Sequence, residues 1–226
     1  MVNDELFKGC LYLHDGLITN NKLEENKKNM DQEIQKDKEQ LRDDILVAAL
    51  KLFAEKGYFN TSLTDIAELS GVKNSAGIYK HFKNKQEIAQ ALYLWVIDRL
   101  SVSIDDIRRR NRKSSEQLRE IVDLWFRLTD EAPEVMQFLL VLNVKEFLPE
   151  EQPVMATPPF VKIIKVLQNG IKEGEIKALD GQRAYCHFFG IIENTLRQVL
   201  TGSLKKKASY YEADAWQSAW ATIVKN

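Results

Sequence analysis

Apolar residues recur at intervals of three and four along most of the chain, the spacing that places side chains on one face of a helix. Leu41, Ile45, Ala48, Ala49, Leu52 and Phe53 predict a helix from about Leu41 to Lys56, stopped by Gly57. Ser62, with Asp65 three residues on, reads as the N-cap of a short second helix whose apolar face is Leu63, Ile66 and Ala67. Gly71 ends it. A third short helix starts near Asn74 or Ser75, with Ile78 and Phe82 one turn apart and pointing inward. Asn84 caps a long fourth helix, about Lys85 to Ile107, which turns Ile88, Leu92, Trp95, Val96 and Leu100 inward.

The remainder also reads as helix: Ser114 or Ser115 through Leu128, Pro133 through Phe147, Phe160 to Lys172, Gly181 to Leu200, and Tyr210 to Val224. Four of the five prolines fall between Leu148 and Pro159, which predicts a loop. No strand pattern competes, so the expected fold class is all-α. The start of the chain differs. Met1 to Ile18 holds a small apolar cluster, and Asn20 to Gln40 is strongly polar, fitting either a solvated helix or disorder. Translation beginning at Met30 is one hypothesis for this polar stretch; an intact mass that includes residues 1–29 would end it. The rival is an arm that helps bind DNA or a partner.

At 226 residues the chain suits one large domain or two small ones. Apolar runs are too short to cross a bilayer, and the N-terminus lacks the basic start and apolar core of a signal peptide. Cys10 and Cys186 make neither a disulfide framework nor a metal spacing, which suggests a cytoplasmic protein with reduced thiols. Overall charge is balanced, 32 basic against 33 acidic residues, so any nucleic-acid surface must be local.

One stretch is locally basic. Residues 71–85, GVKNSAGIYKHFKNK, hold four lysines and no acid. They span the turn between the two short helices and the one that follows, the order of a helix-turn-helix. Ala67 is small where the helices approach, and Gly71 permits a positive backbone angle in the turn. With Val72, Ile78 and Phe82 turned inward, Lys73, Asn74, Ser75, Tyr79 and Lys80 remain outside. Lysines neutralise phosphates; Ser, Asn and Tyr hydrogen-bond phosphates or base edges. The helix starts near Ser62, Asn74 and Asn84 can also face phosphates.

These residues carry a family resemblance. ILVAALKLFAEKGYFNTSLTDIAELSGV followed by IYKHFKNKQEI resembles the DNA-binding domain of tetracycline-repressor-like (TetR family) regulators. The resemblance implies that Thr61 and Ser62 contact phosphate, that Lys73, Asn74 and Ser75 begin the recognition helix, and that Tyr79, His81 and Lys85 touch the sugar-phosphate backbone. The family usually has four residues between the GV and IY elements. Here there are five, Lys73 to Gly77, an insertion expected to lengthen the turn or distort the recognition helix. The implied domains are a polar extension (1–37), a helix-turn-helix domain (38–99) and a C-terminal ligand-binding and dimerisation domain (100–226).

In that C-terminal domain the resemblance implies a pocket for an unknown small effector, with Trp125, Phe126, Met136, Phe138, Phe188 and Phe189 as candidate lining; the alternative is that they fill the core. Ala184, Phe188, Ile191, Ile192, Thr195, Leu196 and Val199, with Tyr211, Ala215, Trp216, Ala219 and Trp220, would pair with their copies in a homodimer or else be internal core. The function implied is a sequence-specific regulator, a repressor released from a palindromic double-stranded DNA operator by an inducer, with no cofactor, no metal and no membrane partner. The alternative is a TetR-like protein that has lost operator binding and acts through protein contacts. An enzyme is the weaker rival: His81 has no nucleophile or carboxylate arranged around it, and Cys186-His187 is no ligand set. Cys186 is expected in the core, and the Arg108 to Lys113 run as a solvated helix end.

Overall fold

Side-chain caps set where the short helices begin. Ser62 Oγ accepts from the Asp65 N–H at 3.1 Å while the Asp65 carboxylate accepts from the Ser62 N–H at 2.8 Å, a reciprocal capping box. Asn74 accepts from the Gly77 N–H at 3.3 Å, and Asn84 from the Glu87 N–H at 2.8 Å. In this computed structural model residues 22–225 are described, with side chains from residue 35 onward except residue 37. The apolar cluster expected in Met1 to Ile18, and Cys10, lie outside the described residues.

The described residues form α1 (Lys22–Lys56), α2 (Leu63–Leu69), α3 (Ser75–Ile78), α4 (Lys85–Arg110), α5 (Ser114–Glu131), α6 (Pro133–Leu140), α7 (Pro158–Glu173), α8 (Gly181–Leu200) and α9 (Ala208–Ile223). Two 3₁₀ turns, Val144–Glu146 and Val154–Ala156, lie between α6 and α7. There is no strand among the described residues, only an isolated bridge between Ile176 and Val224. The fold is an N-terminal helix-turn-helix domain followed by a C-terminal helical domain.

α1 begins about five turns before the expected Leu41. Of the two readings of Asn20 to Gln40, the helix is the one observed from Lys22 onward. The segment has no Gly or Pro and is rich in Lys, Glu and Gln, all good helix formers. Gln35 to Glu39 and Gln40 to Asp44 hydrogen bonds add support one turn apart. The domain limits expected at residues 37 and 99 fall inside α1 and α4, so continuous helices cross both.

The helix expected from Pro133 through Phe147 ends instead at Leu140. The Val141 and Leu142 N–H groups both donate to the Gln137 carbonyl, which closes the helix. The chain then folds back so that the buried Phe147 stacks on Tyr58, ring centroids 4.5 Å apart, and lies 6.3 Å from Phe138. Burying that ring against the first domain offsets the lost helical hydrogen bonds. The expected loop holds the second 3₁₀ turn, and α7 starts at Pro158, where proline suits the first helical position.

α9 packs on α8 and α5. Its start has no cap of its own; Asp130 of α5 supplies one, accepting from the Ala208 and Ser209 N–H groups at 2.7 and 3.0 Å. Of the residues offered for a dimer, Ala184, Phe188, Ile192, Leu196, Ala215 and Ala219 are buried within the chain, the core reading. Cys186, expected in the core, is exposed: the helical period turns it away from buried Tyr185, Phe188 and Phe189.

Candidate nucleic-acid interface

The turn after α2 is built on Gly71, whose φ of +76° lies in the left-handed region that disfavours a side chain. The Val72 N–H then donates to the Ala67 carbonyl at 2.9 Å and draws the chain back across α2. Ile66, Ala67, Ile78, Phe82 and Ile88 are buried, so α2, α3 and the start of α4 share one core.

The stretch from Lys73 to Gly77 leads into α3. A Cβ on Gly77 would meet Val72 Cγ1 at 2.3 Å, so glycine is the residue that lets Val72 pack there. The helix spans only four residues, Ser75–Ile78, and continues as turns through His81.

Lys73, Asn74, Tyr79 and Lys80 are exposed, Tyr79 at 58%, and Ser75 is half-buried. Neither Lys73 nor Lys80 forms an ion pair with another described residue. Ser62 is exposed, but its hydroxyl donates to Asp65 at 2.8 Å. The two Ser62 hydrogen bonds hold the Asp65 carboxyl below the usual carboxylate range. His81 is half-buried, and its imidazole is pushed below the ordinary histidine value by burial and then by the cations Arg42, Lys80 and Lys38.

Two candidates sit elsewhere than the resemblance implied. Thr61 is 1% exposed, and its hydroxyl donates inward to the Gly57 carbonyl at 2.9 Å, with the Leu52 carbonyl at 3.3 Å. Thr61 lies five residues past the end of α1, and its hydroxyl ties the turn back onto the last turn of that helix and the glycine that follows it. Lys85 curls back: Nζ donates to the Tyr58 and Thr61 carbonyls at 2.8 and 2.7 Å and lies 4.3 Å from the centre of the Tyr58 ring. Burial lowers its proton affinity. Lys85 therefore joins the turn after α1 to α4, beneath the Phe147 ring stacked on Tyr58. Gln86 adds a 3.2 Å bond to the Phe147 carbonyl. In this structure both residues brace the domain rather than face outward.

Neither Arg42 nor Lys38 of α1, which lie on the same side as His81, stood out in the sequence. Both are exposed, and Arg42 lies 5.0 Å from the centre of the Phe82 ring. Their spacing of one helical turn was visible, but no pattern tied them to His81.

In the C-terminal domain the six proposed lining residues are all buried, none above 1% exposed. Trp125 lies 5.0 Å from Phe189 and 6.1 Å from Phe160, and Phe188 is 5.0 Å from Phe189. They pack against one another. The Trp125 indole N–H has no hydrogen-bond partner among the described residues. Tyr185, stacked on Phe189 at 4.8 Å, donates its hydroxyl to Glu193.

Residues 45–92 match the family described as bacterial regulatory proteins, tetR family. The regulator TtgR of Pseudomonas putida is 40% identical over 78 residues, which cover 34% of this chain and 35% of that one. The match thus spans about a third of that regulator's length. The fatty acid metabolism regulator protein of Bacillus subtilis is 27% identical over 157 residues, 67% of this chain and 79% of that one. The fold resembles that of the transcriptional regulator FadR from Bacillus subtilis in complex with stearoyl-CoA, with a TM-score of 0.65 at 22% identity, over 79% of this chain and 97% of that one.

Proposed function

We propose, starting from a chain that belongs through its N-terminal domain to the TetR family, that this protein is a dimeric, sequence-specific regulator of transcription, a repressor whose grip on a palindromic operator is set by a small molecule. The observation that carries the reading is the outer face of the helix-turn-helix: Lys73, Asn74, Tyr79 and Lys80 stand exposed around α3 while its apolar residues are buried. Two lysines that form no ion pair with another described residue are suited to phosphates, and Asn74 and Tyr79 to hydrogen bonds with phosphates or base edges.

A two-fold dimer through α8 and α9 would set two such faces one helical turn of DNA apart, roughly 34 Å. Their outward faces offer Cys186, Gly190 and Asn194, then Ala213, Ser218 and Ala221, small residues that allow close approach. For the effector, the acyl-CoA thioesters are the first class to test. A neighbour of the same fold holds stearoyl-CoA, and the aromatic centre of the C-terminal domain suits an acyl chain once its rings part. Effector binding would act by shifting the population of DNA-competent dimers.

The test is selection of bound sequences from a random duplex pool at two salt concentrations, with mass measured in solution. Enrichment of one palindrome by a dimer is the expected result. Weak, sequence-independent binding that salt abolishes would favour the alternative, a TetR-like protein acting through protein contacts, to which the four-residue α3 lends support.

A further inference from the structure

The recognition helix does not supply all the positive charge on its side of the molecule. Arg42 projects from α1 over the buried Phe82 ring, which fixes the guanidinium in place while its N–H groups stay exposed. Lys38 lies one turn earlier on the same face. Both are near enough to His81 to act on its charge, as is Lys80 from the end of α3. Arg42 and His81 share one recess, with Lys38 one helical turn before Arg42 and Lys80 next to His81 in sequence.

That recess is open, about 280 Å³, and is lined by Arg42 and His81 with Phe82, Glu87, Gln90 and Leu94. That is below the roughly 300–1,000 Å³ of small-molecule pockets. Its one carboxylate, Glu87, is turned to the Lys83 N–H. On the adjoining face of α1, Glu39, Asp43 and Asp44 crowd one another: burial raises the Asp43 carboxyl, Arg42 opposes this, and the other two acids add to it.

We propose that Lys38 and Arg42 of α1 form, with Lys80 and His81, a second phosphate-binding bay that grips the DNA backbone outside the recognition helix. The inference rests on the DNA-binding reading above. Its ligand is a backbone phosphodiester. The pre-set guanidinium offers a fork of donors that matches phosphate oxygens, the lysines add point charge, and neutral His81 retains one N–H to donate. The extra turns of α1 are what place Lys38 here; a helix starting at Leu41 would leave it unplaced. The bay reads no bases, so it strengthens operator and random duplex equally.

The experiment uses the full chain, the selected operator and a random duplex of equal length, with Kd measured across salt. Arg42→Gln and Lys38→Gln are each expected to reduce the slope of log affinity against log salt by about 0.9, and together by about twice that. Both duplexes should weaken by the same factor. Arg42→Lys should keep most of the slope. Should Arg42→Gln lower the unfolding midpoint through its contact with Phe82, Lys38→Gln decides alone. An unchanged slope in variants of a wild type that does bind its operator overturns the bay and leaves the DNA reading standing. A wild type that binds no duplex at any salt overturns both.

Discussion

In the N-terminal domain the candidate side chains around α3 point outward: Tyr79 is 58% exposed, and Lys73 and Lys80 are exposed and form no ion pair with another described residue. In the C-terminal domain the candidate site residues point inward. Trp125, Phe126, Phe138, Phe188 and Phe189 are all buried and pack as a cluster. A site for DNA has to be a standing surface, because a duplex cannot enter a fold. A site for a small molecule can be closed until its ligand arrives, so the same residues serve as core when it is absent. Substitutions at the exposed residues of the first domain should therefore move affinity and leave stability alone, and those at buried residues of either domain should move stability first.

The sharpest break would come at Trp125. Trp125→Ala should cost about 3–5 kcal/mol in denaturant unfolding, the range for deleting a large buried aromatic. Trp125→Phe should cost much less, since the indole N–H gives up no hydrogen bond. A loss below about 1 kcal/mol for the alanine variant would mean the cluster is loosely held, and the contrast between the two domains would fail.

Thr61 tests the contrast inside the first domain. Its buried hydroxyl should make Thr61→Val cost about 1–3 kcal/mol, as expected when buried carbonyls lose their donor. DNA affinity of the folded protein should hardly change. Affinity lost at full stability would show instead that the hydroxyl turns out to meet phosphate.

Lys73→Ala and Lys80→Ala should each weaken operator binding several-fold, reduce the salt slope by about 0.9, and leave the unfolding free energy within about 0.5 kcal/mol. Equal affinity of either variant and the wild type across salt would remove that lysine from the interface.

The first domain was the more legible in sequence because its constraints are local. Ser62 with Asp65, Asn74, and Asn84 with Glu87 each announce a helix start, and each cap is present. Gly71 announces the turn. What sequence left hidden depends on distant partners. Lys85 looks like any exposed lysine until the carbonyls of Tyr58 and Thr61 are brought beside it. Leu140 does not read as a helix end, because the reason lies at Tyr58, where Phe147 must stack. The aromatic stripe of the second domain reported burial correctly, but burial is common to a core and to a closed site. Periodicity records which way a side chain faces; it does not record what it meets.

The smallest expected effect concerns pH, where the two domains should respond with opposite sign. Burial pushes the Glu193 carboxyl above its ordinary value of 4.5, against the lowering effects of the Tyr185 hydrogen bond and Arg197. The folded state then holds this proton more tightly than the unfolded chain. Its contribution to stability is full below 4.5 and is lost as pH rises through the folded value. His81 runs the other way. Its folded value lies below 6.5, so the unfolded chain binds the proton more tightly, and stability falls as pH drops from 6.5 toward that folded value. Glu193→Gln keeps an acceptor for Tyr185 and removes the titration. It should flatten the decline above pH 4.5 and leave a protein at least as stable as wild type at pH 7. His81→Gln should flatten the decline below pH 6.5, and it alone of the two should change the pH dependence of DNA binding, because a nearby phosphate favours protonated His81 and tightens the complex as pH falls. Unfolding curves and Kd from pH 4 to 8 on both variants separate the two signs. A Glu193→Gln protein clearly weaker than wild type at pH 7 would show that the charged carboxylate is needed where it lies, and that the second domain holds a working polar site within its aromatic core.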